Sequence, residues 1–324
     1  MEHQKKTGLQ NALIAGLCAT LCCALWGSAS PTIKTGYALF AINTADTPAI
    51  LLFAGLRFFF AGLLAILIGS ALNRKPLIPA KSSLPNIGKL ALVQTVLQYI
   101  FFYTGVANST GVKSSIVQSA SPFIVILVAC FLFRNERFTV VKFAGCVLGL
   151  IGMVIVNLDG STLDLNMTFL GEGCVLISNF WYAVSSSLIK SYSKTENPVT
   201  LSGYQFMLGG AVMALLGFVL GGRLAQVTWA GVGVLFYLAV LSAVAYSLWG
   251  MLLKVNPVSR IAVYGFMTPI FGVLFSALML GEVEQAFNLQ TLSALVLVCI
   301  GIFVVNKLSS KWENRSAAKS NQTA

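Results

Sequence analysis

The chain has 324 residues, of which 57% are apolar and 10% charged. That balance excludes an ordinary soluble domain, in which about a quarter of residues are charged. A net charge of +11 would suit a nucleic-acid partner, but the placement of the cations, given below, excludes one.

The apolar residues fall in ten blocks of about 18–25 residues, the length at which a helix crosses ~30 Å of hydrocarbon. They lie near 11–33, 47–71, 87–106, 112–132, 139–157, 169–189, 200–221, 228–253, 259–280 and 289–308. Each is continuously apolar and lacks the alternation of a closed β-barrel, so the expected class is an all-α polytopic membrane protein.

The first block follows Lys5 and Lys6 and carries Trp26, Ser30 and Pro31. Ser28-Ala29-Ser30 imitates a cleavage site, but the block is too long for a signal-peptide core and is expected to stay as a helix. The second holds Arg57, the one charge well inside a block. In hydrocarbon it costs at least ~2.5–3.5 kcal/mol, so it should face a wet cavity or a partner. It is either a binding group for a carboxylate or phosphate, or an anchor bonded to neighbouring helices.

In the third block Gln94 and Gln98, and Tyr99 and Tyr103, each stand four residues apart, which puts each pair on one face of a helix. Amides are costly in lipid, so these faces should point inward, either lining a cavity or bonding between helices. The fourth block has Lys113 near its start and Pro122 within it. In the fifth, Gly145-x-x-x-Gly149 fits close helix packing. A link at 158–168, with two aspartates and no cation, reads as external.

The sixth block offers Asn179, Trp181, Tyr182 and Ser185, with Glu172 near its outer edge. The seventh contains Gly217-x-x-x-Gly221, the eighth Tyr246 and Trp249, and the ninth Arg260 and Pro269. A tail at 309–324 ends the chain. The seven cysteines all lie in blocks and have no metal-ligand spacing, which points to packing.

With the N-terminus inside, seventeen cations fall on the inner side, three (Lys34, Lys113, Arg223) on the outer, and Arg57 in between. This is the positive-inside pattern: both termini are expected in the cytoplasm, and the basic excess meets anionic lipid instead of nucleic acid.

The chain also repeats itself. Arg57-Phe58 returns as Gln205-Phe206 and Ala61-Gly62 as Gly209-Gly210, both 148 residues on. Tyr99 returns as Tyr246, Lys113 as Arg260 and Pro122 as Pro269, all at 147, and Gly152 as Gly301 at 149. Ser30 and Lys34 match Ser186 and Lys190 at 156, because the first half carries extra residues between its first two blocks. Five helices per half is odd, so the second half enters from the opposite side. Residues 1–157 and 169–308 therefore read as inverted five-helix repeats, with a substrate path where they meet.

Trp26-Gly27-Ser28 with Lys34, Arg57-Phe58, Pro269 with Gly281-Glu282, and the Gly-rich fifth and tenth blocks resemble the drug/metabolite transporter superfamily, in its ten-helix EamA-domain branch. The resemblance covers about 12–308 and implies ten helices around a central cavity, exporting or exchanging small metabolites, often amino acids. Arg134-Asn135-Glu136, where the second half has Gly281-Glu282, departs from the pattern, and so does the cation Lys113.

The expectation is a secondary carrier in the cytoplasmic membrane. No Walker motif suggests ATP use, no Ser/His or paired-Asp set suggests catalysis, and no cofactor is implied. No carboxylate sits mid-span to bind a coupling proton. Substrate-path candidates are Trp26, Ser30, Arg57, Gln94, Gln98, Tyr99, Tyr103, Trp181, Ser185, Tyr246 and Trp249. Pro122 and Pro269 either serve packing or bend as gates. Lys113 and Arg260 either snorkel to headgroups or form cationic mouths, one per face. A carrier of phosphorylated or other anionic metabolites, and a non-transporting membrane scaffold or receptor, are the competing readings; oligomeric state is open.

Overall fold

A computed structural model describes residues 8–109, 111–157, 167–280 and 289–308, and among them the secondary structure is helical, with no strand. Helix α1 is Ala12–Leu39, α2 Thr47–Asn73 and α3 Lys81–Ala107. Helix α4 covers residues 111–132, α5 is Val140–Asn157 and α6 covers 169–192. Helices α7 (Pro198–Val219) and α8 (Trp229–Val255) are unbroken, and α9 and α10 cover 258–280 and 289–308.

Local chemistry fixes the helix starts. Asn11, Asp46, Thr168, Asn197 and Thr228 each accept a first-turn backbone N–H of α1, α2, α6, α7 or α8 with a side-chain oxygen. These bonds satisfy donors that a helix end leaves open. Pro48 and Pro198 sit in first turns, where a missing N–H forfeits no bond. Helix α1 continues past Pro31 to Leu39, beyond its apolar block. The hydroxyls of Thr32 and Thr35 fold back onto the Ser28 and Pro31 carbonyls at 2.8 and 3.1 Å, which lets polar residues extend it.

Six helical stretches among the described residues are long and apolar enough to cross a membrane: α1, α2, α3, α7, α8 and 258–275 of α9. Three shorter apolar stretches lie in α4, α5 and α10. Helix α6 belongs to neither group, and Ser178, Asn179, Ser185, Ser186 and Ser187 are buried along it. Large apolar side chains such as Leu72, Val140 and Trp229 are 80–91% exposed. In water such a surface would aggregate; in lipid it is solvated.

Packing follows small residues. Helix α2 lies along α7 so closely that a Cβ on Gly55 would sit 2.2 Å from Ala214 N, and one on Gly210 2.4 Å from Phe59 N. Helix α5 lies along α10, where a Cβ on Gly301 would meet the Gly145 carbonyl at 2.6 Å. Gly217-x-x-x-Gly221 is not one packing motif. Gly217 abuts Leu52 of α2, whereas Gly221, at φ +96°, takes the left-handed turn beyond α7.

Further pairings include α1 with α8 and α9, α6 with α3 and α4, α2 with α8, and α7 with α3. Replacing each helix by the one five places later maps this set onto itself. At one end of the bundle Glu196, in the turn after α6, accepts the Ala80 N–H at 3.2 Å and ties that turn to the start of α3. Burial raises the Glu196 pKa, but bonds from Asn197, Ser83 and Ala80 and the Lys254 charge outweigh it and hold the carboxyl below its ordinary value.

Candidate functional site

The glycine contact between α2 and α7 brings Phe58 and Phe206 face to face, ring centres 5.2 Å apart and 10° from parallel. Tyr99 of α3 packs on Phe58 at 4.4 Å, and Tyr246 of α8 on Phe206 at 4.7 Å. The two tyrosine hydroxyls hydrogen-bond each other at 2.7 Å. Trp26 of α1 lies 5.1 Å from Tyr246 and 4.9 Å from Trp249, and Tyr103 lies 6.0 Å from Tyr99. Where a central cavity was expected, this conformation has aromatic rings in contact. A cavity of about 660 Å³ lies to the side, between α1, α8 and α9, floored by the Ser28–Tyr237 hydroxyl pair.

Two polar pairs flank the rings. Arg57, 5% exposed, donates from Nε and Nη2 to Ser242 Oγ of α8 at 3.2 and 2.9 Å, with its guanidinium 5.0 Å from the Phe58 ring centre. Thr95 Oγ1 of α3 donates to Gln205 Oε1 of α7 at 2.7 Å. Gln205 stands 148 residues after Arg57, and Ser242 stands 147 after Thr95. The same cross-helix pair is built twice, once with a cation and once with an amide.

Helices α4 and α9 are interrupted at matching places. In α4 the helix stops at Ser119 and resumes at Ser121 with Pro122; in α9 a 3₁₀ turn, Val263–Phe266, precedes Met267 and Pro269. Each proline lacks an N–H, which strips the carbonyl four residues back of its helical donor. A Cβ on Gly265 would lie 3.1 Å from Pro122 Cγ, so the two interruptions face each other. Asn179 of α6 donates Nδ2 to the Val117 carbonyl at 2.8 Å, and Cys23 of α1 donates Sγ–H to the Tyr264 carbonyl at 3.2 Å. Val117 and Tyr264 are 147 apart and Cys23 and Asn179 156 apart, which makes these two clamps repeat mates as well.

The profile of the EamA-like transporter family matches residues 13–158 and again 169–307. The chain belongs to the EamA-like transporter family. Its relatives carry transporter names. A "Probable amino-acid metabolite efflux pump" of Escherichia coli is 27% identical over 94% of this chain and 97% of its own length. An "Uncharacterized transporter" of Archaeoglobus fulgidus is 27% identical over 86% and 94%. A WAT1-related chloroplastic protein of Arabidopsis thaliana is 25% identical over 78% of this chain, which spans 62% of that protein's length. A solved crystal structure superposes with a TM-score of 0.72 at 17% identity, over 91% of this chain and 98% of the other, a likeness of fold. This EamA-like chain is therefore a multi-pass membrane transporter and not an enzyme.

The other expected site residues are placed unevenly. Gln94 and Gln98 of this EamA-like transporter are buried in α3, at 2% and 7% exposure. The Trp181 indole N–H is buried without a partner. Ser185 is buried, but its hydroxyl donates to the Tyr182 carbonyl of its own helix at 2.8 Å. Arg260 reaches the Asn256 side-chain oxygen at 3.4 Å. The side chains of Ser30 and Lys113, the link at 158–166 and Gly281-Glu282 lie outside the described residues. Among those described, no group of three His, Cys, Asp or Glu residues is placed to hold a metal.

Sequence reasoning missed Ser242, Thr95 and Cys23, whose only signal was the repeat offset. It also missed the use made of two acids. Glu172 accepts from Ser109 Oγ at 2.6 Å and from Thr168 N at 2.9 Å, tying α6 to the end of α3. Glu136 accepts from Ser259 N at 3.1 Å and from buried Lys142 Nζ at 3.1 Å, which closes the start of α9. Arg134, at the departure from the family pattern, takes φ 51°, a left-handed conformation that glycine adopts without strain.

Proposed function

We propose that this protein is a secondary carrier of small organic solutes, amino acids or related compounds foremost, working by export or exchange. Its ten helices cross the cytoplasmic membrane as two inverted repeats, 1–157 and 169–308, joined by an external linker at 158–168, with both termini and the 309–324 tail in the cytoplasm. The observation that carries this reading is the doubled pair Arg57–Ser242 and Gln205–Thr95 around the Tyr99–Tyr246 contact. Mated contacts across one axis give a structure two equivalent ways to open, one toward each face, which is what alternating access requires. The site lies where the repeats meet, with Arg57 as its anion anchor and Pro122 and Pro269 at the bends.

The second reading, a carrier of phosphorylated or other anionic metabolites, is favoured by Arg57 having no carboxylate partner among the described residues. Counterflow in liposomes of the purified protein decides between them. Saturable exchange of labelled amino acids, competed weakly by sugar phosphates, is the expected result. Competition in the reverse order selects the second reading, and no flux of any solute defeats both.

A further inference from the structure

The two halves match in geometry and differ in chemistry. On α3, α4 and α6, the side-chain oxygens of Gln94, Gln98, Gln118 and Asn179 are buried with no hydrogen-bond partner in the protein, and so is the Trp181 indole nitrogen. The nitrogens of the three glutamines make no hydrogen bond to the protein either, so turning an amide end for end leaves a buried polar atom without a partner. The orientation of Asn179 is fixed, because its nitrogen must be the atom that donates to the Val117 carbonyl.

The repeat mates of these residues carry no amide or indole, and on the described mate wall only the Trp26 indole nitrogen and the Ser247 hydroxyl are buried without a partner. For Gln94, Gln98 and Gln118 they are Leu241, Ala245 and Gly265; for Asn179 and Trp181 they are Cys23 and Leu25. Helix α6 packs on α3 and α4 as α1 packs on α8 and α9. Packing alone therefore does not call for polar groups on this wall. Each unpartnered buried group costs about 1–3 kcal/mol, and native proteins keep few of them.

Gln94, Gln98, Gln118 and Asn179 share one seam, whereas Trp181, two residues beyond Asn179, stands on another face of α6. A Cβ on Gly105 of α3 would lie 2.8 Å from Val175 N of α6, which fixes the contact face. Two turns back from Gly105 on that face is Gln98, and one further is Gln94; one turn on from Val175 is Asn179. Gln118 adjoins the Val117 carbonyl that Asn179 holds. None of these residues carries a charge, and their unpartnered oxygens call for a hydrogen-bond donor, which a carboxamide or hydroxyl supplies without burying a charge.

We infer that the α3–α4–α6 wall is a subsite for a neutral hydrogen-bonding part of the solute, a carboxamide or hydroxyl, so that the transport site leans toward the first repeat. This inference rests on the carrier reading above and adds to it what the solute must carry. L-Glutamine and L-norleucine share a charged head and are close in size, and only glutamine has a carboxamide to offer.

In proteoliposome counterflow the wild type is expected to favour glutamine over norleucine about tenfold or more. The variants Gln98→Ala and Gln94→Leu copy the second repeat. They should bring that ratio toward one by lowering glutamine flux severalfold more than norleucine flux, and should hold or raise the unfolding temperature, since each removes an unpartnered group. A ratio unchanged in both variants, equal loss of both fluxes, or glutamine at background while other solutes are carried overturns the inference and leaves the carrier reading standing. No flux of any solute falls on the carrier reading instead.

Discussion

Arg57 is legible in the sequence because it is the one charge deep in an apolar block; its partner is not, because a serine in a membrane helix is unremarked. Among the described residues Arg57 has a single hydroxyl and a ring face, which leaves part of its fork for an anion. Charge-assisted bonds contribute about 1.5–3 kcal/mol, so Arg57→Leu should cut flux roughly 10- to 150-fold. Gln205→Leu removes a neutral bond of about 1 kcal/mol and should cost about fivefold. Arg57→Lys should fall between, since the charge survives and the planar fork does not. Counterflow on variants shown monodisperse by gel filtration checks the order. A well-folded Arg57→Leu protein with wild-type flux would remove Arg57 from the path and leave it an anchor.

At the scale of helices, the sequence located both prolines but not what holds the bends they make. Cys23 and Asn179 occupy one structural position with different chemistry, so a search for recurring residue types passes over them. A thiol donor is weaker than an amide donor. The α9 bend, clamped by Cys23 at 3.2 Å, should therefore open more readily than the α4 bend, clamped by Asn179 at 2.8 Å. Amide hydrogen exchange is expected to be faster at 264–268 than at 117–121, by about fivefold for each kcal/mol of difference. Cys23→Asn should slow the first segment toward the second. Equal protection in the wild type, or faster exchange in α4, would show that the clamps do not set the bends. The same blindness explains Gly217-x-x-x-Gly221: spacing predicts a packing face, and only the backbone shows that Gly221 lies past the end of the helix.

For the whole molecule, hydropathy and the cation count carried the class and the proposed sidedness, and the repeat offsets carried the mates. Which mates touch was beyond the sequence, because a period states equivalence and says nothing of contact. The placement of the acids has a consequence for energetics at this scale. Glu136 is bonded at the start of α9 and Glu172 at the start of α6, and both carboxylates spend their lone pairs on structure. Neither belongs to the ring cluster around Arg57, where a coupling proton would have to act on the solute. Uphill transport coupled to protons needs a group that binds a proton on one face and releases it on the other, in step with the solute. With no such group among the described residues of the path, flux should follow the solute gradient or exchange. Liposomes given a pH step and equal solute on both sides should then show no more than background accumulation. If they concentrate solute severalfold, Glu172→Gln becomes the deciding variant: loss of accumulation with exchange intact would place the coupling proton at α6 and overturn the gradient-driven account.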